Sequence, residues 1–226
     1  MPPEQVIPEA ELNDTSVKTL PIRSRERFIA TRDALLEALK NHTVPKIPKP
    51  AIDLANSNRG NIVGTIGRTQ TFGWGDTRRG WNYYKTNKKY PEVFKALIAF
   101  GNQVVPKGWE YQGITLNHEV KSKKHIDGKN IGLSVIIGIG DFTGGEIRVW
   151  TPEDTNPKNY DLHDKPVMFN GGVCPHETQA FKGNRYTFVF YKQGRHPRNS
   201  RVGIGSGHCA NGLTQRNPHL NGGVFA

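Results

Sequence analysis

The sequence predicts an α+β fold in which helices pack outside a sandwich or barrel of short strands. Three observations lead there. Helix-period apolar residues lie in the first half of the chain, strand-like runs cluster in the second, and 25 glycines and 15 prolines punctuate the chain. At 226 residues, 35% of them apolar, the chain has room for one domain with a core of its own.

The first 20 residues are polar, proline-punctuated and aperiodic, so they are expected to form a loose arm, with a single domain over 21–226. From Ile22 to Lys40, Phe28, Ile29, Leu35, Leu36 and Leu39 fall on one helical face, which predicts a docking helix. KIPKPAIDLANSNRGN reads as loop. A second helix starts near Pro91, a residue suited to a first turn, and continues through Val93, Phe94, Leu97 and Ile98. From Tyr111 the signal is β: YQGITLNHEV, LSVIIGIG, EIRVW, KPVMFN and RYTFVFYK, each bounded by turn residues. DFTGG between the second and third is read as a hairpin turn that folds those two strands back on each other, its glycines free to take positive φ.

Composition limits the setting. No run of about 18 apolar residues is present and the N-terminus lacks the pattern of a signal peptide, so a soluble, monomeric chain away from membranes is expected. Two cysteines, Cys174 and Cys209, are too few for a disulfide framework; the expected location is intracellular, the nucleus included. The net charge of +11 attracts polyanions. Residues 59–89 hold Arg59, Arg68, Arg78, Arg79, Lys85, Lys88 and Lys89 against a single acid, Asp76. Within that segment Trp74, Trp81, Tyr83 and Tyr84 interleave with the basic residues, a combination that offers ammonium and guanidinium groups to phosphates and rings to bases. Arg68, Trp74, Arg78, Arg79, Tyr83, Lys88 and Lys89 are the candidate nucleic-acid contacts. The same aromatics would serve equally as core under a barrel-covering loop.

The chemistry centres on HID at 125–127. In an extended segment His125 and Asp127 point the same way and can share a metal. His176, in CPHETQ after the turn NGG, can close on them from another strand. Two imidazoles and one carboxylate leave coordination positions open, as suits non-haem Fe(II) with a bidentate ligand and dioxygen, whereas a structural zinc site closes its shell. Arg185 opens RYTFVFYK and shares a face with Thr187, a fork and a hydroxyl suited to the distal carboxylate of a dicarboxylate. Asn117 can reach the same ligand with its amide. Arg148 faces either solvent or the pocket, and the alternation leaves both open. His118, His163 and Cys174 are read as packing or turn residues rather than ligands.

H-x-D, a histidine about fifty residues later and R-x-T on the last strand together resemble the 2-oxoglutarate/Fe(II)-dependent oxygenase superfamily over about 111–192. FTGGEIRVW is similar to its Gly-Gly hairpin before the third core strand, and DLHDKPVMFNGGVCPHE to its run into the distal histidine. The resemblance implies a double-stranded β-helix core of the jelly-roll, cupin-like type with N-terminal flanking helices. It also implies Fe(II) as cofactor, 2-oxoglutarate as cosubstrate and dioxygen as the oxidant. Within the superfamily the spacing and the basic, aromatic N-terminal half are most similar to the TET/JBP group, which oxidises the methyl of 5-methylpyrimidines in nucleic acid. That implies DNA as partner and a modified pyrimidine, 5-methylcytosine or thymine, as substrate. A peptidyl hydroxylase of the prolyl type and a non-catalytic ligand- or nucleic-acid-binding barrel are the alternatives.

Overall fold

The computed structural model describes residues 7, 9–47, 65–77 and 80–193. Arg78 and Arg79, Cys209 and the Gly/Asn/Arg-rich C-terminal run lie outside the described residues.

Two helices cover one face of the fold. Ser24 starts α2 (Arg25–Lys40) by accepting the Arg27 N–H at 3.4 Å, so the helix begins three residues after Ile22. Pro91 opens α4 (Pro91–Val104), which runs past Ile98 and stops where Pro106 disfavours helical geometry at Val105. The two helices pack through Phe28, Leu35 and Leu39 against Leu97, Phe100 and Val104.

The strands form two antiparallel sheets. The large sheet has seven strands in the order β1-β8-β5-β10-β4-β2-β3: β1 (Lys18–Thr19), β8 (Val167–Phe169), β5 (Asn130–Gly144), β10 (Phe181–Gln193), β4 (Gly113–Lys121), β2 (Ile66–Thr77) and β3 (Gly80–Tyr83). The small sheet is β7-β6-β9, from β7 (Asp154–Tyr160), β6 (Ile147–Thr151) and β9 (His176–Thr178), and His125 extends it by bridging to His176. From β4 onward the chain alternates between them: β4 large, His125 small, β5 large, β6 and β7 small, β8 large, β9 small, β10 large. This winding is the double-stranded β-helix, a jelly roll with helices on one face.

Side-chain alternation divides the large sheet into two faces. Val135, Ile137, Ile139, Met168, Phe188 and Phe190 join the helices in one core. Their neighbours Ile136, Val167, Phe169 and Val189 turn the other way, onto Ile147 and Val149 of the small sheet. The space between the sheets therefore belongs to the odd-numbered residues of β10, Arg185 and Thr187 among them.

Two expectations are corrected. DFTGG is not a hairpin turn: β5 and β6 lie in different sheets. Gly144 and Gly145 both take positive φ (72° and 75°) and carry the chain out of the large sheet, while the Gly145 N–H donates to Ala180 O. Nor are residues 9–20 a loose arm. They form α1 (Glu9–Leu12) and β1, which adds to the sheet edge beside β8, and Glu11 pairs with Lys192 at 3.0 Å. Short polar segments of this kind are held by partners remote in sequence: Leu12 O accepts from Asn170 Nδ2 at 3.0 Å.

Candidate metal centre

His125, Asp127 and His176 converge at the open edge of the two sheets. One ligand atom from each lies within 4.8 Å of the other two. His125 and His176 face each other because their backbones exchange two hydrogen bonds, N–H to O at 3.0 and 2.9 Å, which places both side chains on one side of the ladder. Asp127 is not in a strand. Its N–H donates to Gly171 O at 2.8 Å, and this tie bends the carboxylate back toward the pair. The histidine Nε2 atoms stand 3.6 Å and 3.8 Å from its two oxygens.

The orientation of both rings is fixed from behind. His125 Nδ1 lies 2.7 Å from Lys123 O and His176 Nδ1 lies 3.0 Å from Cys174 O. A carbonyl can only accept, so each Nδ1 carries the proton and each Nε2 presents its lone pair to the common centre. Burial lowers the His176 pKa from its ordinary value and so favours the neutral ring a metal needs; the Asp127 carboxylate acts in the opposite sense. Asn130 Nδ2 donates to Asp127 Oδ2 at 3.1 Å. Two imidazoles and a carboxylate with three sides open fit Fe(II) and leave room for exchangeable ligands.

Arg185 lies between the sheets and is 2% exposed. Its Nη2 donates to Gly145 O at 2.8 Å, its Nε has no partner, and its plane lies over Phe142 and Phe181. Burial lowers its pKa to about 10, with Glu146 opposing, so it remains charged at neutral pH with its charge incompletely matched. A buried cation with an idle donor is the environment a carboxylate would complete. Thr187 is buried two residues on, and Asn117 stands opposite it in the register, accepting from Thr69 Oγ1 at 2.8 Å.

The other expected residues are spread over several surfaces. Trp74 and Tyr83 pack edge to face at 4.5 Å, and Tyr83 continues onto Phe94 of α4, so these rings join the helix layer. Arg68 donates to Val44 O at 3.0 Å beside that layer. Lys88 and Lys89 are exposed on α3 (Lys85–Lys89), with the Lys89 ammonium 5.1 Å from the Tyr90 ring. Arg148 points away from Ile147 and Val149 to Asn159 and Glu177, which settles its side as the outer one. His118 stacks on Tyr186, and His163 on Phe142.

Four contributors escaped the sequence reading. A Cβ at Gly171 would stand 3.3 Å from Asp127 Oδ2 and 3.5 Å from His176 Cε1, so this glycine makes room for the centre. Gly145 does the same for Arg185, whose Nε would be 2.7 Å from a Cβ. Tyr191, on the Arg185 face of β10, has its hydroxyl 3.5 Å from Thr115 Oγ1; burial first, then Tyr84 and Asp127, push its pKa up. Only the Asn130 tie had a local signal, an amide three residues after the aspartate in a D-G-K-N turn.

No family model matches the chain, and no curated protein does. Solved structures do match. A prolyl-4-hydroxylase from Pseudomonas putida aligns at 12% identity with a TM-score of 0.47, over 81% of this chain and 96% of that one. A 2OG-Fe(II) oxygenase family protein from Burkholderia pseudomallei gives 17% and 0.47, over 80% and 86%. NgTET1 in complex with 5mC DNA gives 10% and 0.48, over 78% and 72%. Among the described residues, no helix is long and apolar enough to cross a membrane.

Proposed function

We propose that this chain is an Fe(II)- and 2-oxoglutarate-dependent dioxygenase that oxidises the methyl group of a modified pyrimidine, 5-methylcytosine or thymine, in DNA. One observation carries the reaction class: His125, Asp127 and His176 offer an open facial set of ligands at the edge of the same inter-sheet space that holds the buried, under-bonded Arg185.

In this reading His125 Nε2, His176 Nε2 and an Asp127 oxygen hold the iron, whose bound state supplies the coupling of dioxygen reduction to 2-oxoglutarate decarboxylation. The protein's own part is positional. Arg185 takes the distal carboxylate, with Thr187 and Asn117 as further polar contacts. Phe142 under Arg185 and Phe169 beside His176 are buried apolar rings that would keep water from both. The Lys123 and Cys174 carbonyls keep both imidazoles in the tautomer that binds metal.

The net charge of +11 supports a polyanionic substrate, and a base in a duplex must leave its stack to reach a centre recessed between sheets. Arg68, Trp74, Arg78, Arg79, Tyr83, Lys88 and Lys89 remain candidate contacts of that substrate. Iron-loaded protein incubated with 2-oxoglutarate and either methylated DNA or peptide pools, with products weighed by mass spectrometry, tests the reading. Succinate release with an oxidised base is expected; hydroxylated peptide beside unaltered DNA would transfer the function to a peptidyl hydroxylase.

A further inference from the structure

We propose that the loop carrying two of the metal ligands is itself the phosphate-gripping rim of the site, and that its ligand is the backbone of a single nucleic-acid strand. The segment runs from Lys121, the last residue of β4, through the loop to Lys129 before β5, reads KSKKHIDGK, and exposes Lys121, Lys123, Lys124 and Lys129. Its one carboxylate, Asp127, is directed at the histidines.

Three features together mark this rim. Lys121, Lys123 and Lys124 have no carboxylate partner among the described residues, a property shared with Lys46, Lys85, Lys88, Lys89, Lys95, Lys107 and Lys182, so no neighbouring acid cancels their charge. Two of the loop ammoniums are instead held over rings, Lys124 at 4.0 Å from the half-buried Trp150 and Lys121 at 5.0 Å from Phe181. A ring positions a cation without neutralising it, so the full charge remains available to a ligand. Finally, a groove of about 350 Å³ follows the loop, lined by Lys121, Ser122, Lys123, Glu177, Thr178 and Gln179. Its acid, Glu177, is engaged by Gln179 Nε2 at 2.9 Å and Arg148 Nη1 at 3.5 Å. Between the ligands, Ile126 is 51% exposed and offers an apolar surface to a base.

Distance along the ligand decides the location. Whatever base reaches the metal, its own flanking phosphates are one nucleotide away, so the groups that hold them must border the centre. Lys124 adjoins His125 and Lys123 precedes it by two residues, within about 8 Å of chain. The ring cluster of Trp74 and Tyr83 is instead packed onto α4. A strand with regularly spaced charges can engage three ammoniums together, which a short acidic peptide does less well. That the gripped strand is also the substrate rests on the dioxygenase reading above; the grip itself does not.

The test uses metal-free, full-length protein and a labelled mixed-sequence DNA single strand, with affinity followed by fluorescence anisotropy over a salt series. Lys121→Ala, Lys123→Ala and Lys124→Ala combined should reduce the log–log salt slope by about two, because each contact to a single strand contributes roughly 0.7. At 0.1 M salt that is about a 100-fold loss relative to a 1 M reference. The equal-charge variant Lys40→Ala, Lys95→Ala, Lys107→Ala, at exposed positions outside any proposed contact, should change the slope by less than half as much, and replacing the loop lysines by arginine should preserve binding. An unchanged slope in the loop variant, a larger loss in the control variant, or stronger binding of a polyglutamate of equal charge would each overturn the proposal. Calorimetric binding of Mn(II) is measured in parallel. Its retention in the loop variant confirms a folded centre, whereas its absence in the wild type would sink the metal-centre reading while leaving the DNA result to stand alone.

Discussion

Replacing Arg185 by methionine should leave the fold intact and cut the thermal response to 2-oxoglutarate to less than half. The guanidinium is 2% exposed, makes one hydrogen bond to Gly145 O at 2.8 Å and leaves Nε without a partner. Burial lowers its pKa from 12.5 to about 10. Since the folded value lies below the unfolded one, the charged native state carries a cost that is fully present below pH 10 and is relieved only as pH rises through 10 toward 12.5. Methionine, of similar length, removes that cost, so the ligand-free variant should melt no lower than the wild type. The ligand response should move the other way. With Mn(II) present and 2-oxoglutarate at about 100 times its Kd, the wild type gains about 2.7 kcal/mol, and a domain of this size converts each kcal/mol into about 2–4 °C. A rise of about 5–11 °C is expected, measured by differential scanning fluorimetry. Losing a buried charged pair removes about 2–5 kcal/mol of binding, which leaves the Met variant a gain of about 0.9 kcal/mol or less and a rise of at most about 4 °C at that concentration. An equal rise in both proteins would refute Arg185 as the anchor.

Four further outcomes follow from the same geometry. His125→Ala, Asp127→Ala and His176→Ala should each abolish turnover and lower Mn(II) affinity beyond calorimetric detection while circular dichroism stays unchanged; wild-type affinity in any one of them removes that residue from the centre. Gly171→Ala places a methyl 3.3 Å from Asp127 Oδ2, so metal affinity should fall about tenfold with little change in melting temperature. Gly145→Ala is more severe, because its Cβ would stand 2.7 Å from Arg185 Nε at a φ of 75°; a raised KM for 2-oxoglutarate together with about 1–2 kcal/mol of lost stability is expected, and an unchanged KM would detach the glycine from the anchor. Burial raises the Cys174 thiol to about 11, so iodoacetamide at pH 8 should label it, by peptide mass, only under denaturing conditions.

The helices and part of the candidate metal cluster were legible because each rests on local information. α2 and α4 need only apolar residues at helical spacing and a cap, and Ser24 and Pro91 supply the starts. Arg185 and Thr187 sit two apart on β10, so extended backbone alone puts them on one side; His125 and Asp127 also sit two apart, but Asp127 lies outside a strand and its tie to Gly171 O turns the carboxylate to the histidines. The sheet to which a strand belongs is not local information. DFTGG carries every mark of a hairpin, yet whether the chain leaves such a turn in the same sheet depends on which partner waits beyond it. Here β9 and β7 flank β6, while β8 and β10 flank β5. The two glycines permit either outcome, and strands remote in sequence decide between them.

The same limit explains why the metal centre was easier to read than its surroundings. Imidazole and carboxylate are needed in a fixed set, and few positions in the chain can provide it. Lysine is common, and its meaning depends on what stands beside it. The basic segment 68–89 stood out because aromatics interleave with its charges, but aromatics also build cores, and Trp74 and Tyr83 are drawn onto Phe94. KSKKHIDGK did not stand out: its lysines show no periodicity, and Trp150 and Phe181, the rings that hold two of them, lie 26 and 60 residues further along (150 − 124 and 181 − 121). Only the winding that brings His125 against His176 also brings Lys124 against Trp150, so one crossing of the chain between sheets sets both the ligand geometry and the charge at its rim.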